Sequence, residues 1–278
     1  MAKLFVTGAA EYVGPFLIDQ ALLKQHTVTA IGDRPIKIAG DINFQVRDAA
    51  RPTDYAELLR DHDVIIHLDP RPQATAGIVE AAKQTGVTRL LQLSRLGARP
   101  QSPVSTFTRF YQGEQVVKQS GLSFSIFKPS LIYGPQEPVF TELVKWLRYA
   151  PIIPYVQGWG MLQPVDVHDL VEFMLASAVN PETAGHSFEI GGTERISMGQ
   201  LIDALLAMLG KRRIAWPWFV NYALWVSARI PKLPFPLWHT LDDVRLHNEQ
   251  LICNMRGLPY QFKIQLSPLR DGLKKYFC

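Results

Sequence analysis

Cysteine is almost absent from this sequence. Only Cys253 and Cys278 occur among 278 residues, so neither a disulfide framework nor a four-thiolate zinc site can be built. Charge is sparse as well. Asp, Glu, Lys and Arg make up 19% of the chain and the formal net charge is only +4, which gives no footing for nucleic acid as a partner. No basic-then-apolar leader precedes the first apolar run, so no cleaved secretory signal is expected. With so few thiols, this predicts a reducing, cytoplasmic location, with a peripheral position at a membrane left open. A bilayer span needs about 20 apolar residues. The uncharged run between Arg213 and Arg229 holds 15 and includes Pro217 and Asn221. Internal repeats and low-complexity linkers are also missing. What the chain does have is apolar residues, 47% of the total, enough for a globular core. The length suits one large domain or two small ones.

The first half alternates short apolar runs with amphipathic stretches. Strands are predicted at Lys3–Val6, Thr27–Ile31, Phe44–Val46, Asp63–Leu68, Thr88–Leu93 and Ser123–Phe127. Helices are predicted at Tyr12–Leu23, Ala74–Gln84 and Phe107–Gln119, the last stopped by Ser120-Gly121. This alternation implies an α/β fold: a doubly wound parallel sheet covered on both faces. The second half is less regular, with Pro and Gly crowded into residues 129–164. There the pattern predicts a helix at Asp166–Ala178 capped by its Asp, a strand at Ser187–Ile190, and a helix at Ser197–Leu209 ending on Gly210. A smaller C-terminal α/β lobe is expected to pack on the sheet. The expected division gives 1–130, with 161–192 returning to it, to the sheet core. Residues 131–160 and 193–278 go to the smaller lobe.

Thr7-Gly8-Ala9-Ala10-Glu11-Tyr12-Val13-Gly14 falls between the first strand and the first helix. An open α/β sheet offers its phosphate site there, on backbone N–H groups at a helix N-terminus. Asp33 closes the second strand 19 residues after Gly14, where a carboxylate can bind a ribose 2′-hydroxyl. Loop, flanking strand and helix, and acid together form a dinucleotide-binding fingerprint.

The chain resembles an extended, atypical member of the short-chain dehydrogenase/reductase superfamily. That family's loop reads Thr-Gly-x-x-Gly-x-x-Gly; Thr7, Gly8 and Gly14 match, and Glu11 replaces the middle glycine. Further matches are Asp48-Ala49, Val64 to Leu68, Leu93-Ser94-Arg95-Leu96-Gly97-Ala98, Lys128-Pro129-Ser130, Tyr133-Gly134-Pro135 and Pro164-Val165-x-Val167-x-Asp169. They cover roughly residues 3–210, with a looser echo at Leu241-Asp242-Asp243-Val244-Arg245-Leu246. Within the superfamily, the Ser-x-Leu-Gly-Ala segment and the C-terminal half are most similar to the NAD(P)H-binding accessory subunit of respiratory complex I and its bacterial relatives. The resemblance implies NAD or NADP as cofactor. It implies contacts from Gly8, Ala10, Glu11, Tyr12, Val13, Gly14, Asp33, Arg34, Asp48, Ala49, Leu68, Ser94, Lys128 and Pro129. Asp33 favours NAD, and Arg34 beside it leaves NADP open.

Glu11 opposes that cofactor. It adds bulk where the backbone must approach the pyrophosphate and brings a carboxylate near two phosphates. At about 4–5 Å and an effective dielectric near 20, each like-charge pair costs on the order of 3–4 kcal/mol before relaxation. A residual penalty of about 1.4 kcal/mol already weakens binding tenfold. Asp69 adds negative charge after the fourth strand, and Arg34 and Arg71 offset part of it. Asp33, Asp48 and Asp69 also have a plainer reading, as loop acids that cap turns.

The resemblance also implies a catalytic Tyr followed four residues later by Lys, one helical turn away, where the ammonium lowers the phenol pKa. Aligned through Glu114 and Ser120-Gly121, Thr106 stands in the Tyr position and Phe110 in the Lys position. No tyrosine anywhere in the chain has a lysine four residues on. Ser94 matches the family's active-site Ser, but no base stands beside it in sequence. The histidines lack metal spacing, and His67, on a core strand, reads as a satisfied buried imidazole. Asp166-x-His168-Asp169 reads as a helix start with acids at the positive end. No nucleophile elbow and no Gly-Lys-Ser/Thr phosphate loop occurs. No catalytic residue and no metal ligand is therefore assigned.

Trp216, Trp218, Trp225 and Trp238, four of the six tryptophans, fall within 23 residues beside Lys211, Arg212, Arg213, Arg229 and Lys232. Such a segment has the look of an interfacial helix or a docking surface for a protein or membrane at 211–238. A self-packed aromatic lobe is the alternative. Three functions remain open. One is a non-catalytic accessory, assembly or docking subunit. The second is an active NAD(P)-dependent reductase or nucleotide-sugar epimerase/dehydratase with a substituted proton donor. The third is a nucleotide-sensing regulator.

Overall fold

The computed structural model describes all residues except 39, 41, 150, 151, 158, 159, 212, 213, 220–244 and 278, and describes 152–157 and 214–219 by their backbone alone. Its first half follows the predicted alternation. β1 (Lys3–Thr7) leads into α1 (Val13–Leu23), β2 (Thr27–Gly32) and β3 (Asn43–Val46). Then come α2 (Ala56–Leu59), β4 (Val64–His67), α3 (Pro72–Thr85), β5 (Arg89–Leu93), α4 (Ser105–Lys118) and β6 (Ser123–Pro129). The second half adds β7 (Ile132–Tyr133), α5 (Pro138–Tyr149), β8 (Ile152–Gln157), β9 (Met161–Leu162) and β10 (Val165–Asp166). It continues with α6 (Val167–Ala178), β11 (His186–Ile190), β12 (Ile196–Ser197), α7 (Met198–Met208) and β13 (Ile214–Phe219). The described elements end with α8 (Leu258–Phe262) and α9 (Leu269–Phe277).

Seven parallel strands form one sheet in the order β11-β6-β5-β4-β1-β2-β3. β1 lies inside it, and Leu4 to Thr7 are all buried, because a parallel sheet has helices on both faces. On one face Leu4 and Val6 share a cluster with Leu17 and Ile18 of α1 and Phe173 and Met174 of α6. On the other, Phe5 and Ile65 pack with Ile78 and Ala82 of α3 and Val117 of α4. A third cluster unites Phe107, Tyr133, Phe140 and Leu147 with Leu201 and Leu205 of α7 and Leu273 and Phe277 of α9.

Local signals explain the helix ends. Gly121, past α4, has φ +79°, a left-handed conformation that favours glycine. Asp166 accepts the His168 amide at the start of α6, and Ser197 and Gln200 form a capping box on α7.

Two expectations need correction. α5 lies inside the Pro- and Gly-rich stretch read as irregular. Pro138 opens it, where a missing N–H costs nothing, and the Glu137 carboxylate accepts the Phe140 amide at 2.7 Å. Phe140, Leu143, Val144 and Leu147 then bury one face. The second correction concerns Trp216 and Trp218. Their segment is a strand, not an interfacial helix: Ile214–Phe219 pairs in parallel with Ile152–Gln157. Pro217 supplies no amide for a helix interior. Trp225, Trp238, Arg212, Arg213, Arg229, Lys232 and the 241–244 echo lie outside the described residues. Among the described residues no helix is long and apolar enough to cross a membrane.

Candidate cofactor site

The sheet order breaks around β1 and β4, and ligands of open α/β sheets bind beyond the carboxyl ends of the strands at such a break. The glycine loop sits there. Gly8 has φ +69°, and a Cβ on it would lie 2.6 Å from the Asp69 amide nitrogen. A Cβ on Gly14 would run into the Ala9 carbonyl. Both glycines therefore let backbone pack on backbone. The Glu11 amide donates to Gly8 O and the Gly14 amide to Glu11 O, each at 2.9 Å, forming successive turns that deliver the chain into α1. The first-turn N–H groups of α1, around Tyr12 and Val13, face out of the helix end.

Glu11 is partly buried. Burial, followed by the neighbouring Asp69 carboxylate, raises its pKa above the usual carboxylate value, and Asp33 adds to the rise. Arg34 and Arg71 pull the other way. Arg34 reaches across the loop to donate to Ala10 O at 2.6 Å and meets Asp33 at 3.3 Å. Arg71 links two loops. It donates to Asp69 Oδ2 at 2.6 Å and to Asp48 Oδ1 at 2.8 Å. Asp48 and Asp69 also cap the amides of Ala50 and Arg71, as loop acids do. Ala49 is buried, and its carbonyl accepts the Tyr55 hydroxyl at 2.8 Å. The Leu68 amide donates to Thr7 O at 2.9 Å.

A buried polar chain runs beneath this loop. His67 Nδ1 lies 2.6 Å from Thr7 Oγ1 and Nε2 lies 3.0 Å from Thr75 Oγ1. Thr75 donates its proton to Arg71 O, so it accepts from Nε2–H and Thr7 donates to Nδ1. The imidazole is neutral and fully satisfied, and its burial lowers its pKa to about 4.

The other sequence-predicted residues gather at the ends of β5 and β6. Ser94 is buried and donates to Glu114 Oε1 at 2.6 Å. Glu114, on α4 and only 1% exposed, also meets Lys128 Nζ at 3.3 Å and Lys118 Nζ at 3.6 Å. Pro129 is buried and its carbonyl accepts the Leu96 amide at 2.8 Å. Thr106 and Phe110 occupy the two turns of α4 before Glu114. Lys128 also lines a cavity of about 540 Å³ with Glu189, Asn254 and Arg256, and no glycine-loop residue borders it. Among the described residues no His, Cys, Asp and Glu cluster suits a metal ion.

The structure thus brings together Gly8, Ala10, Glu11, Tyr12, Val13, Gly14, Asp33, Arg34, Asp48, Ala49 and Leu68 at one end of the sheet. It places Ser94, Lys128 and Pro129 farther along. The partnership of Ser94 with Glu114 escaped sequence reasoning, because no spacing rule joins residues 20 apart on a strand and a helix.

Residues 8–141 match the sequence model of a family described as NAD(P)H-binding. The chain has the Rossmann fold of the extended short-chain dehydrogenases/reductases. It is 24% identical over 248 residues to the mouse mitochondrial NADH dehydrogenase [ubiquinone] 1 alpha subcomplex subunit 9, covering 83% of this chain and 65% of that subunit. This chain therefore spans about two thirds of that relative's length. It is similar in structure to an NADPH-dependent quinone oxidoreductase from Escherichia coli, with TM-score 0.80, 18% identity and 99% and 100% of the two chains covered. A Thermus thermophilus UDP-glucose 4-epimerase complexed with NAD superimposes with TM-score 0.74 at 14% identity, covering 99% and 97%. The resemblance drawn from the sequence alone agrees with all three.

Proposed function

We propose that this chain binds NAD(H) or NADP(H) without short-chain dehydrogenase/reductase turnover, and serves as an accessory, assembly or docking subunit like the NADH dehydrogenase subunit it resembles. The observation that carries this reading is on α4. Thr106 and Phe110 stand where the relay needs a phenol and an ammonium. Glu114 one turn on, meanwhile, engages both the Ser94 hydroxyl and Lys128. Threonine is no proton donor near neutral pH, and phenylalanine carries no charge.

The residues at the glycine loop fit a dinucleotide. Gly8 and Gly14 are positions a Cβ would fill with a clash, Asp33 is exposed at the end of β2, where it would meet a ribose hydroxyl, and Asp48 is tied to the same loop cluster through Arg71. A bound nicotinamide would supply hydride chemistry; the chain's own groups here bind and orient. Glu11 is the misfit, tempered by Arg34 and Arg71. In this reading residues 1–130 with 161–192 hold the nucleotide. The remainder, including 211–238, faces a protein partner, with a peripheral position at a membrane.

Calorimetric titration with NADH and NADPH, followed by assays with carbonyl and quinone acceptors, tests this. Binding without oxidation of the nucleotide is expected. Steady turnover would establish the reductase reading instead, and no binding at millimolar nucleotide would remove the cofactor.

A further inference from the structure

The cavity bordered by Lys128 lies at the β11 edge of the sheet, away from the glycine loop. Its volume of about 540 Å³ falls inside the roughly 300–1,000 Å³ range of small-molecule sites. One wall is the sheet itself. Phe127 and Phe188 belong to the cluster under α6, and Ile126 belongs to the cluster under α3 and α4. Side chains alternate along a strand, so Lys128, Ser187 and Glu189 all face the α4 side, with Glu189 in register beside Lys128. No β11 residue joins the cluster on that side, and Ser187 and Glu189 are exposed. The opposite wall is the turn at residues 254–258 together with Gln261 of α8.

The second wall is held in place. Asn254 Oδ1 accepts the Arg256 amide at 3.0 Å, Gln261 N donates to Gly257 O at 2.8 Å, and Arg195 donates to Cys253 O at 2.7 Å. The charges on the two walls are unmatched. Lys128 is drawn to Glu114 at 3.3 Å, so Glu189 loses its neighbour in register as a counter-charge. Neither the Glu189 carboxylate nor the Arg256 guanidinium makes a hydrogen bond or an ion pair, and both line the cavity. They stand on opposite walls, too far apart to pair. The Ser187 hydroxyl and the Gln261 carboxamide beside them are uncommitted as well.

We propose that this edge cavity binds a small zwitterion, an amino acid or another ammonium carboxylate, with its ammonium on Glu189 and its carboxylate on Arg256. A guanidinium fork matches a carboxylate in bidentate geometry, and an ammonium brings three donors to a carboxylate that has none. Ser187 and Gln261 can donate and accept along the ligand. A plain anion meets repulsion from Glu189, and a plain amine meets it from Arg256 and Lys128. A ligand with both charges satisfies both walls. No glycine-loop residue borders the cavity, and the site does not rest on the function proposed above.

Glycine, γ-aminobutyrate and ε-aminocaproate set the two charges progressively farther apart. Each is titrated by NMR into the full chain at low salt, where exposed charges are least screened. Butyrate and butylamine serve as single-charge counterparts. At least one zwitterion should bind about fivefold tighter than either counterpart, with shifts centred on residues 187–189 and 254–261. Glu189→Gln and Arg256→Gln should each weaken it by about fivefold, the reach of an exposed charge pair, and Arg256→Lys should lose less. Both side chains are exposed, so melting temperatures should stay within about 2 °C of wild type. Silence from all three zwitterions would overturn the site. So would equal binding by butyrate or butylamine, unchanged affinity in the Gln variants, or shifts centred on residues 8–14. A loss in only one Gln variant would leave a simple ion site and overturn the zwitterion, and a loss that tracks a lowered melting temperature would make the pair structural.

Discussion

The two ends of the cleft have diverged. Beyond β2, β3 and β4, most charged side chains stay near the surface. Arg34, Arg71, Asp33 and Asp48 are each more than a third exposed and are joined by pairs that can be rearranged, and Asp69, the second partner of Arg71, is the buried exception. Beyond β5 and β6, the same kinds of groups are shut in. Glu114 is 1% exposed and Lys128 16%, and Ser94 spends its hydroxyl on the Glu114 carboxylate. The first end keeps polar groups available to a ligand. The second binds Ser94, the match to the resembled family's active-site serine, into a buried network. The function proposed above therefore predicts that nucleotide binding and turnover come apart within one site, because the two depend on different strands.

The largest expected effect comes from breaking the closed end. Glu114→Ala leaves Lys128 and Ser94 facing an uncompensated space, and should cost about 3–5 kcal/mol, read from denaturant midpoints. A loss below about 1 kcal/mol is what a solvated surface pair gives, and would erase the contrast. His67 comes next. Its folded pKa is about 4 against an ordinary 6.5, so the unfolded chain takes up a proton first. Stability should fall by on the order of 3 kcal/mol as pH drops through that window, and His67→Gln should flatten the profile. An unchanged slope would mean the imidazole is not the group responsible.

At the open end, Glu11→Gly should tighten NADH binding by about tenfold, or about 1.4 kcal/mol. Wild-type affinity should also rise as pH falls toward the raised Glu11 pKa, since protonation removes the opposing charge, while the Gly variant stays flat. Equal affinities at every pH would show that Glu11 points away from the nucleotide. The smallest effect tests the division from the other side. Thr106→Tyr combined with Phe110→Lys should produce no measurable turnover, because Ser94 remains bound to Glu114. Activity from that double variant would mean the closed end is closed in name only.

The sheet was legible in the sequence because its signals are local. Leu4-Phe5-Val6, Val64-Ile65-Ile66 and Leu90-Leu91 are apolar runs bounded by turn residues, and the glycine loop falls where β1 meets α1. Asp166 likewise announced the start of α6, and Gly210 the end of α7. α5 was hidden because Pro138 reads as a breaker until Glu137 is seen to cap it. Trp216 and Trp218 invited a helical reading because their partner strand lies about sixty residues earlier. Charge partners were the least legible. Arg71 was readable as a counter-charge to the loop acids, but its bond to Asp48, 23 positions away, appears only when the loops after β3 and β4 meet at one end of the sheet.

The parallel register of β1 bears on how the chain is made. Leu4 pairs with Val28 on one edge, but its other edge waits for Val64. Sixty residues separate Leu4 from that second partner. At about 5–20 residues per second of synthesis, the interval is roughly 3–12 s. Through that time Leu4, Phe5 and Val6 present an unpaired apolar edge, the kind that recruits foreign strands. The stretch destined for the centre of the finished protein is thus its most exposed hazard during birth.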